Sequence, residues 1–219
     1  MNLLVLGPQG AGKGTQAKRI ASDYDIPHIS TGDMFRAAIA ARTPLGQRVE
    51  PILAGGELVP DELTVAMIRD RLAEDDARNG FVLDGFPRNL AQAEALDAML
   101  GEIDRGLDAI LYFDLPDDVG FERMLKRARD ENRADDTAEV IRRRLQIYHD
   151  ETEPVVEHYR TTGKLVPLHA ARSIEEVYRE IQQALERLEA ATEWPVRASG
   201  PGKGIWGNRE VPPASEVAG

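Results

Sequence analysis

The sequence contains no cysteine, which excludes both a disulfide framework and a thiolate zinc site. That composition fits a reducing cytoplasm. Long apolar runs are missing too: nothing approaches the roughly 20 consecutive residues a membrane-spanning helix needs. The N-terminal "NLLVL" meets glycine almost at once and lacks the basic flank and apolar run of a signal peptide. Positive charge is in short supply, with 27 basic against 38 acidic residues and a net charge of −11. This argues against a general binder of nucleic acid or membrane surfaces. Any anion site must be local.

What is present is a chain of 219 residues, long enough for one substantial core and better read as one domain with insertions than as two domains. "LLVL" at 3–6, "GFVLDG" at 80–85, "AILYFDL" from 109 and "KLVPLH" from 164 are continuous apolar runs. Such runs suit strands buried on both faces of a parallel sheet. "IPHIS" supplies a shorter fifth strand. Amphipathic stretches of helical length lie between them, and this alternation predicts an α/β fold with a doubly wound sheet. The last helix starts at Ser173, where Glu176 completes a capping box, and Ile174, Val177, Ile181, Leu185 and Leu188 keep one face. Residues 194–219 hold five glycines and four prolines in 26 positions and read as a flexible tail. Within it, Trp194 and Trp206 are large enough to dock.

The most informative stretch is "GPQGAGKGT" at 7–15, between the first strand and the first helical pattern. A strand, a glycine-rich turn carrying a lysine, and a helix form the context of a phosphate-cradling loop. Glycines 7, 10, 12 and 14 let backbone N–H groups and the helix N-terminus surround phosphate oxygens, and Lys13 adds a point charge. The usual hydroxyl directly after the lysine is replaced by Gly14, with Thr15 one place later. A second basic concentration lies in "ERMLKRARDENR", where Arg123 and Arg127 share a helix face, with Arg133, Arg142, Arg143 and Arg144 following. These residues read either as an anion site or as a solvated, salt-bridged surface beside Glu122, Asp130 and Glu131. The four histidines stand at no ligand spacing and read as packing or surface residues.

The run "GPQGAGKGTQ" resembles the loop of adenylate kinases, in which glycine after the lysine is usual. "STGDMFR" at 30–36, "GELVPDE" at 56–62, "LDGFPRNLAQ" at 83–92 and "NRADDTAEVIRRRLQIYH" at 132–149 are similar to segments of the same family, in its order. The resemblance covers residues 1 to about 190. It implies a P-loop kinase with a five-stranded parallel sheet, a nucleoside-monophosphate-binding insertion at 30–59 and a short lid at 126–136. The lid is short because little separates Arg127 from Arg133, so the metal-bearing lobe of longer relatives is absent and no zinc is expected.

The resemblance implies reversible transfer from MgATP to AMP, giving two ADP, with ATP, AMP and ADP as partners and a monomeric state. Gly10, Ala11, Gly12, Lys13, Gly14, Thr15, Arg123, Arg127 and the backbone at Arg172 fall to ATP. Thr31, Arg36, Glu57, Leu58, Val59, Gly85, Phe86, Pro87, Arg88 and Gln92 fall to AMP, with Gln92 hydrogen-bonding the adenine. Lys13, Arg88, Arg123, Arg133 and Arg144 surround the transferring group, and Arg133 and Arg144 also reach AMP. Arg143 has no role and belongs on the solvent side. Asp84, at a strand end, holds Mg²⁺ through water. The arginines of 123–144 repel one another without phosphates, which predicts a lid that stays open until ligands arrive.

Three rivals remain. UMP/CMP kinases usually carry Ala and Asn at the places of Thr31 and Gln92, although they share Asn89. A regulatory P-loop GTPase should show an Asn-Lys-x-Asp run, and none is present. A non-catalytic nucleotide-binding module would show no turnover.

Overall fold

A computed structural model describes residues 1–130 and 136–192. The tail at 194–219, with both tryptophans, and the centre of the expected lid, including Arg133, lie outside the described residues. Five strands, β1 (Asn2–Leu6), β2 (His28–Ser30), β3 (Phe81–Asp84), β4 (Ala109–Asp114) and β5 (Leu165–His169), form one parallel sheet in the order β2-β3-β1-β4-β5. This is the sheet the apolar runs predict.

β1 is buried throughout because alternate side chains enter different cores. Leu3 and Val5 pack with α1 (Lys13–Tyr24) and α9 (Ile174–Thr192), through Ala17, Ile20, Val177, Ile181 and Leu185. Leu4 and Leu6 face α4 (Asp61–Leu72), α5 (Leu90–Glu102) and α8 (Glu153–Arg160), through Ile68, Leu96, Leu100 and Val155. With helices on both faces, Leu3–Leu6 of the central strand have no solvated side, and the one polar residue of the strand, Asn2, is at its start with its side chain hydrogen-bonded to the Gly106 carbonyl. The register sets Val5 beside Asp84 and Leu6 beside Tyr112, so β1, β3 and β4 end together. Ser173 does cap α9: its hydroxyl accepts from the Glu176 N–H at 3.3 Å, and its own N–H donates to the Glu176 carboxylate at 3.0 Å.

The insertion after β2 consists of α2 (Thr31–Ala40) and α3 (Pro44–Ala54), with a small core of its own around Phe35, Val49 and Val59. α6 (Asp117–Asp130) and α7 (Ala138–Ile147) flank the lid segment, and a π-helical turn at Tyr148–Thr152 leads into α8. Residues 126–130 of the expected lid continue α6 as regular helix.

Candidate active site

β1 is the switch point of the sheet: the chain goes from it to one side through β2 and β3 and then crosses to β4 and β5. Ligands of open α/β sheets bind outside the carboxyl ends of the strands at this point. The glycine loop occupies it. Gly12 takes φ 84° just before α1, a left-handed backbone that glycine adopts without the usual side-chain penalty. Gly10 lies so close to α6 that a Cβ on it would sit 2.5 Å from the Gly120 carbonyl oxygen. The loop is thus seated directly on the helix that carries Arg123 and Arg127.

A cavity of about 370 Å³ opens over this loop. Its lining includes seven cationic side chains (Lys13, Lys18, Arg36, Arg88, Arg123, Arg127 and Arg144) and three acidic ones (Asp33, Glu57 and Asp84). In a chain of net charge −11 this concavity has a local excess of positive charge, the electrostatic condition for an anion site. Of the arginine run, Arg123, Arg127 and Arg144 line it, whereas Arg143 forms an exposed pair with Glu57.

Lys13 is half-buried and donates from Nζ to the carbonyls of Gly7 at 2.6 Å and Pro8 at 2.8 Å. Burial of the ammonium lowers its pKa from 10.5 to about 8, with Asp84 opposing the shift and Arg88 and Arg127 adding to it. Carbonyl dipoles compensate a buried charge only partly, so the ammonium favours an arriving anion. Arg88 is likewise pulled below its ordinary value, first by burial, with Asp84 opposing and Arg144 and Arg36 adding. Its Nε donates to the Gly85 carbonyl at 2.8 Å. Asp84 ends β3 beside the loop: a Cβ on Gly14 would lie 3.4 Å from Asp84 Oδ2.

Arg123 holds the turn after β5, donating to the carbonyls of Ala170 at 2.8 Å, Ala171 at 3.2 Å and Arg172 at 3.4 Å. Arg127 and Arg144 converge on Asp136, whose side chain is wholly buried. Arg127 donates to Oδ2 at 2.6 and 3.0 Å, and Arg144 to Oδ1. Arg144 also reaches the Leu53 carbonyl at 3.2 Å, and Arg143 grips the Glu57 carboxylate at 2.8 Å. These contacts correct the expectation of arginines left to repel one another. Asp136 lies between two of them, and two further contacts tie α7 to the α2–α3 insertion. Arg143 is exposed as expected but has a partner.

At the other end of the cavity Thr31, 1% exposed, donates from Oγ1 to the Gly85 carbonyl at 2.8 Å. Gln92, 2% exposed, lines the same cavity. The Thr152 hydroxyl donates to the Arg88 carbonyl at 2.7 Å and fixes that turn from the far side.

Of the residues expected at the site, Gly10, Gly12, Lys13, Gly14, Thr15, Thr31, Arg36, Glu57, Leu58, Val59, Asp84, Gly85, Pro87, Arg88, Gln92, Arg123, Arg127 and Arg144 all line the cavity. Three described residues do not. Ala11 and Phe86 turn their side chains into the two cores, and the Arg172 guanidinium stands 3.9 Å from Glu180 while its carbonyl receives Arg123. Thr152 and Asp61 escape sequence reasoning because their partners are distant in the chain, and Asp136 because its partners, eight and nine residues away, stand on two different helices. His149, His158 and His169 pair with carboxylates near the surface, and His28 Nε2 lies 3.4 Å from Asp84 Oδ2. Among the described residues no three His, Cys, Asp or Glu side chains converge as metal ligands, and no helix is long and apolar enough to cross a membrane.

A parallel sheet with a glycine loop and lysine at its switch point, under a cavity lined by cations, defines a P-loop nucleotide-binding protein. Comparison with known proteins narrows the class. The family model described as Adenylate kinase matches residues 5–164. The chain is 48% identical over 187 residues to the adenylate kinase of Xanthomonas campestris pv. campestris (strain B100), covering 85% of this chain and 100% of that protein. It is 50% identical over 186 residues to that of Thermobifida fusca (strain YX), covering 85% and 98%. The chain belongs to the adenylate kinase family.

Proposed function

We propose that the chain moves the γ-phosphoryl group of MgATP to AMP, reversibly, giving two ADP in this cavity. The observation that carries the reading is a single concavity joining Lys13 and the glycine loop to Thr31 and Gln92, with Asp84 and Arg88 between the two halves. Phosphoryl transfer needs two phosphates in line and positive charge over the equatorial oxygens rather than covalent help. A phosphate oxygen of AMP attacks the γ-phosphorus, and the bond to the β–γ bridging oxygen breaks to release ADP.

In this reading Lys13 and the loop N–H groups, with Arg123 and Arg127, hold the ATP phosphates. Thr31, Arg36, the segment 57–59 and Gln92 hold AMP, and Arg88 and Arg144 span the transferring group. Arginine suits that place because its planar fork binds two oxygens and stays charged. Mg²⁺ arrives with ATP. Thr15 and, through water, Asp84 would hold that ion beside the loop, since their oxygens are the hard donors it prefers. Its chemistry there is to neutralise charge on the phosphates. The same proposal places the enzyme in the cytoplasm, supported by the absence of cysteine, and as a monomer, which light scattering would check.

Rates with ATP against AMP, CMP, UMP and GMP test the reading. AMP is expected to lead by orders of magnitude. Comparable rates with CMP or UMP would sink it in favour of a pyrimidine kinase.

A further inference from the structure

Gln92 sits at the acceptor end of the cavity with both ends of its amide already engaged. Its Oε1 accepts from the Arg88 backbone N–H at 2.8 Å, and its Nε2 donates to Asp61 Oδ1 at 2.7 Å. The two neighbours have fixed polarity: a backbone N–H only donates and a carboxylate only accepts. Turning the amide over would set its oxygen against the carboxylate and its NH₂ against the N–H. Only one orientation survives.

Asp61 is held for this purpose by more than Gln92. It opens α4, where an acidic residue is favoured by the helix N-terminus. Asn89 Nδ2 donates to its Oδ1 and Oδ2 at 3.0 and 3.2 Å. Asn89 is itself fixed, since its Oδ1 caps α5 by accepting from the Gln92 backbone N–H at 2.9 Å. The chain Asn89–Asp61–Gln92–Arg88 is closed at every link.

We infer that Asp61 is a positioning residue that makes the acceptor site read a 6-aminopurine and reject a 6-oxopurine. The inference rests on the proposed assignment of Gln92 to the acceptor base. An amide with one contact at each end keeps one N–H and one oxygen lone pair for a ligand. In the locked orientation this pair matches the adenine edge, where the N6 amino group donates and N1 accepts. Hypoxanthine presents the reverse, an O6 acceptor beside an N1–H donor. Binding it requires the amide to turn over against Asp61 and the Arg88 N–H, leaving buried groups opposed or unpaired.

The test compares AMP with IMP as acceptors in the unaltered chain and in Asp61→Asn, whose amide can donate as well as accept and so removes one of the two contacts that oppose a turned-over Gln92, leaving only the Arg88 N–H against it. The ratio of kcat/KM for AMP over IMP is expected to fall by about tenfold or more, through KM for the nucleotide rather than kcat. A purely structural role would lower both substrates alike. An AMP/IMP ratio within about twofold of the unaltered chain's would overturn the inference while leaving the proposed function intact. Failure of the unaltered chain to use AMP would overturn both. Should Asp61→Asn not fold, hydrogen exchange in the ligand-free unaltered protein decides. One Gln92 Nε2 proton is expected to exchange far more slowly than those of exposed glutamines, and exchange at the exposed rate would refute the lock.

Discussion

The two halves of the cavity hold their functional groups in different ways. In the half proposed for the acceptor, Thr31, Gln92, Asn89 and Asp61 bond to one another or to backbone of fixed position, in one arrangement of donors and acceptors. On the donor side the cations rest on protein oxygens: Lys13 on two loop carbonyls, Arg123 on the 170–172 turn, and Arg127 and Arg144 on Asp136. A neutral base has to be read by directional hydrogen bonds, which reward a site that does not move. A polyphosphate is bound by charge, and charges held at carbonyls and a carboxylate can turn to it without first being brought from water.

Removing the donor-side charge should have the largest effect. Lys13→Met is expected to lower kcat by roughly 10³-fold while the protein stays folded, because that charge matters most as negative charge moves toward the leaving phosphate. Near-normal turnover in a folded variant would remove the loop lysine from the mechanism and erase the contrast between the halves.

Asp136→Asn keeps the shape and removes the charge that Arg127 and Arg144 share. Stability should fall by about 2 kcal/mol in denaturant titration, with turnover reduced as well. An unchanged midpoint would mean that the two guanidiniums do not depend on this carboxylate.

A smaller signal comes from the Lys13 proton. Its pKa is lowered from 10.5 to about 8 in the nucleotide-free chain, so between those limits the unfolded chain binds a proton that the folded chain gives up. The contribution of this group to stability therefore rises with pH across that window. Phosphates should restore the charge, so MgATP binding near pH 8 is expected to take up roughly half a proton, falling toward zero near pH 6.5. Titration calorimetry in buffers of different ionisation enthalpy reads this directly, and equal uptake by Lys13→Met would assign it elsewhere. Smallest of all, Arg143→Ala breaks an exposed pair with Glu57 and should leave turnover within roughly twofold. A tenfold loss would bring Arg143 into the machinery.

The sequence carries the centre of the fold well because the inner strands are buried on both faces, so that "LLVL" and "AILYF" have no other comfortable environment, whereas the edge strand from "KLVPLH" buries only Leu168 and corrects the expectation of a strand covered on both sides. The loop is legible for a similar reason, since glycine spacing, lysine and flanking elements are local in the chain. What is not local is the pairing of charges. "RADD" contains two aspartates, and nothing in the string says that Asp136 faces Arg127 and Arg144. Asp61 falls within "GELVPDE", which marks the family but gives no hint that it touches a glutamine 31 positions on. Asn89, which sequence comparison sets ambiguously between purine and pyrimidine kinases, finds its role only when α4 and α5 are packed side by side.

The most direct test of the account is a crystal structure with a mimic that joins two adenosines through five phosphates. The account predicts that Lys13 Nζ leaves the Gly7 and Pro8 carbonyls for phosphate oxygen, and that Arg123, Arg127 and Arg144 each turn at least one N–H to the phosphates. Gln92 should meet an adenine edge with its contacts to Asp61 and the Arg88 N–H still in place. Cations that kept all their protein partners, or a Gln92 that had to release Asp61 to reach the base, would contradict it.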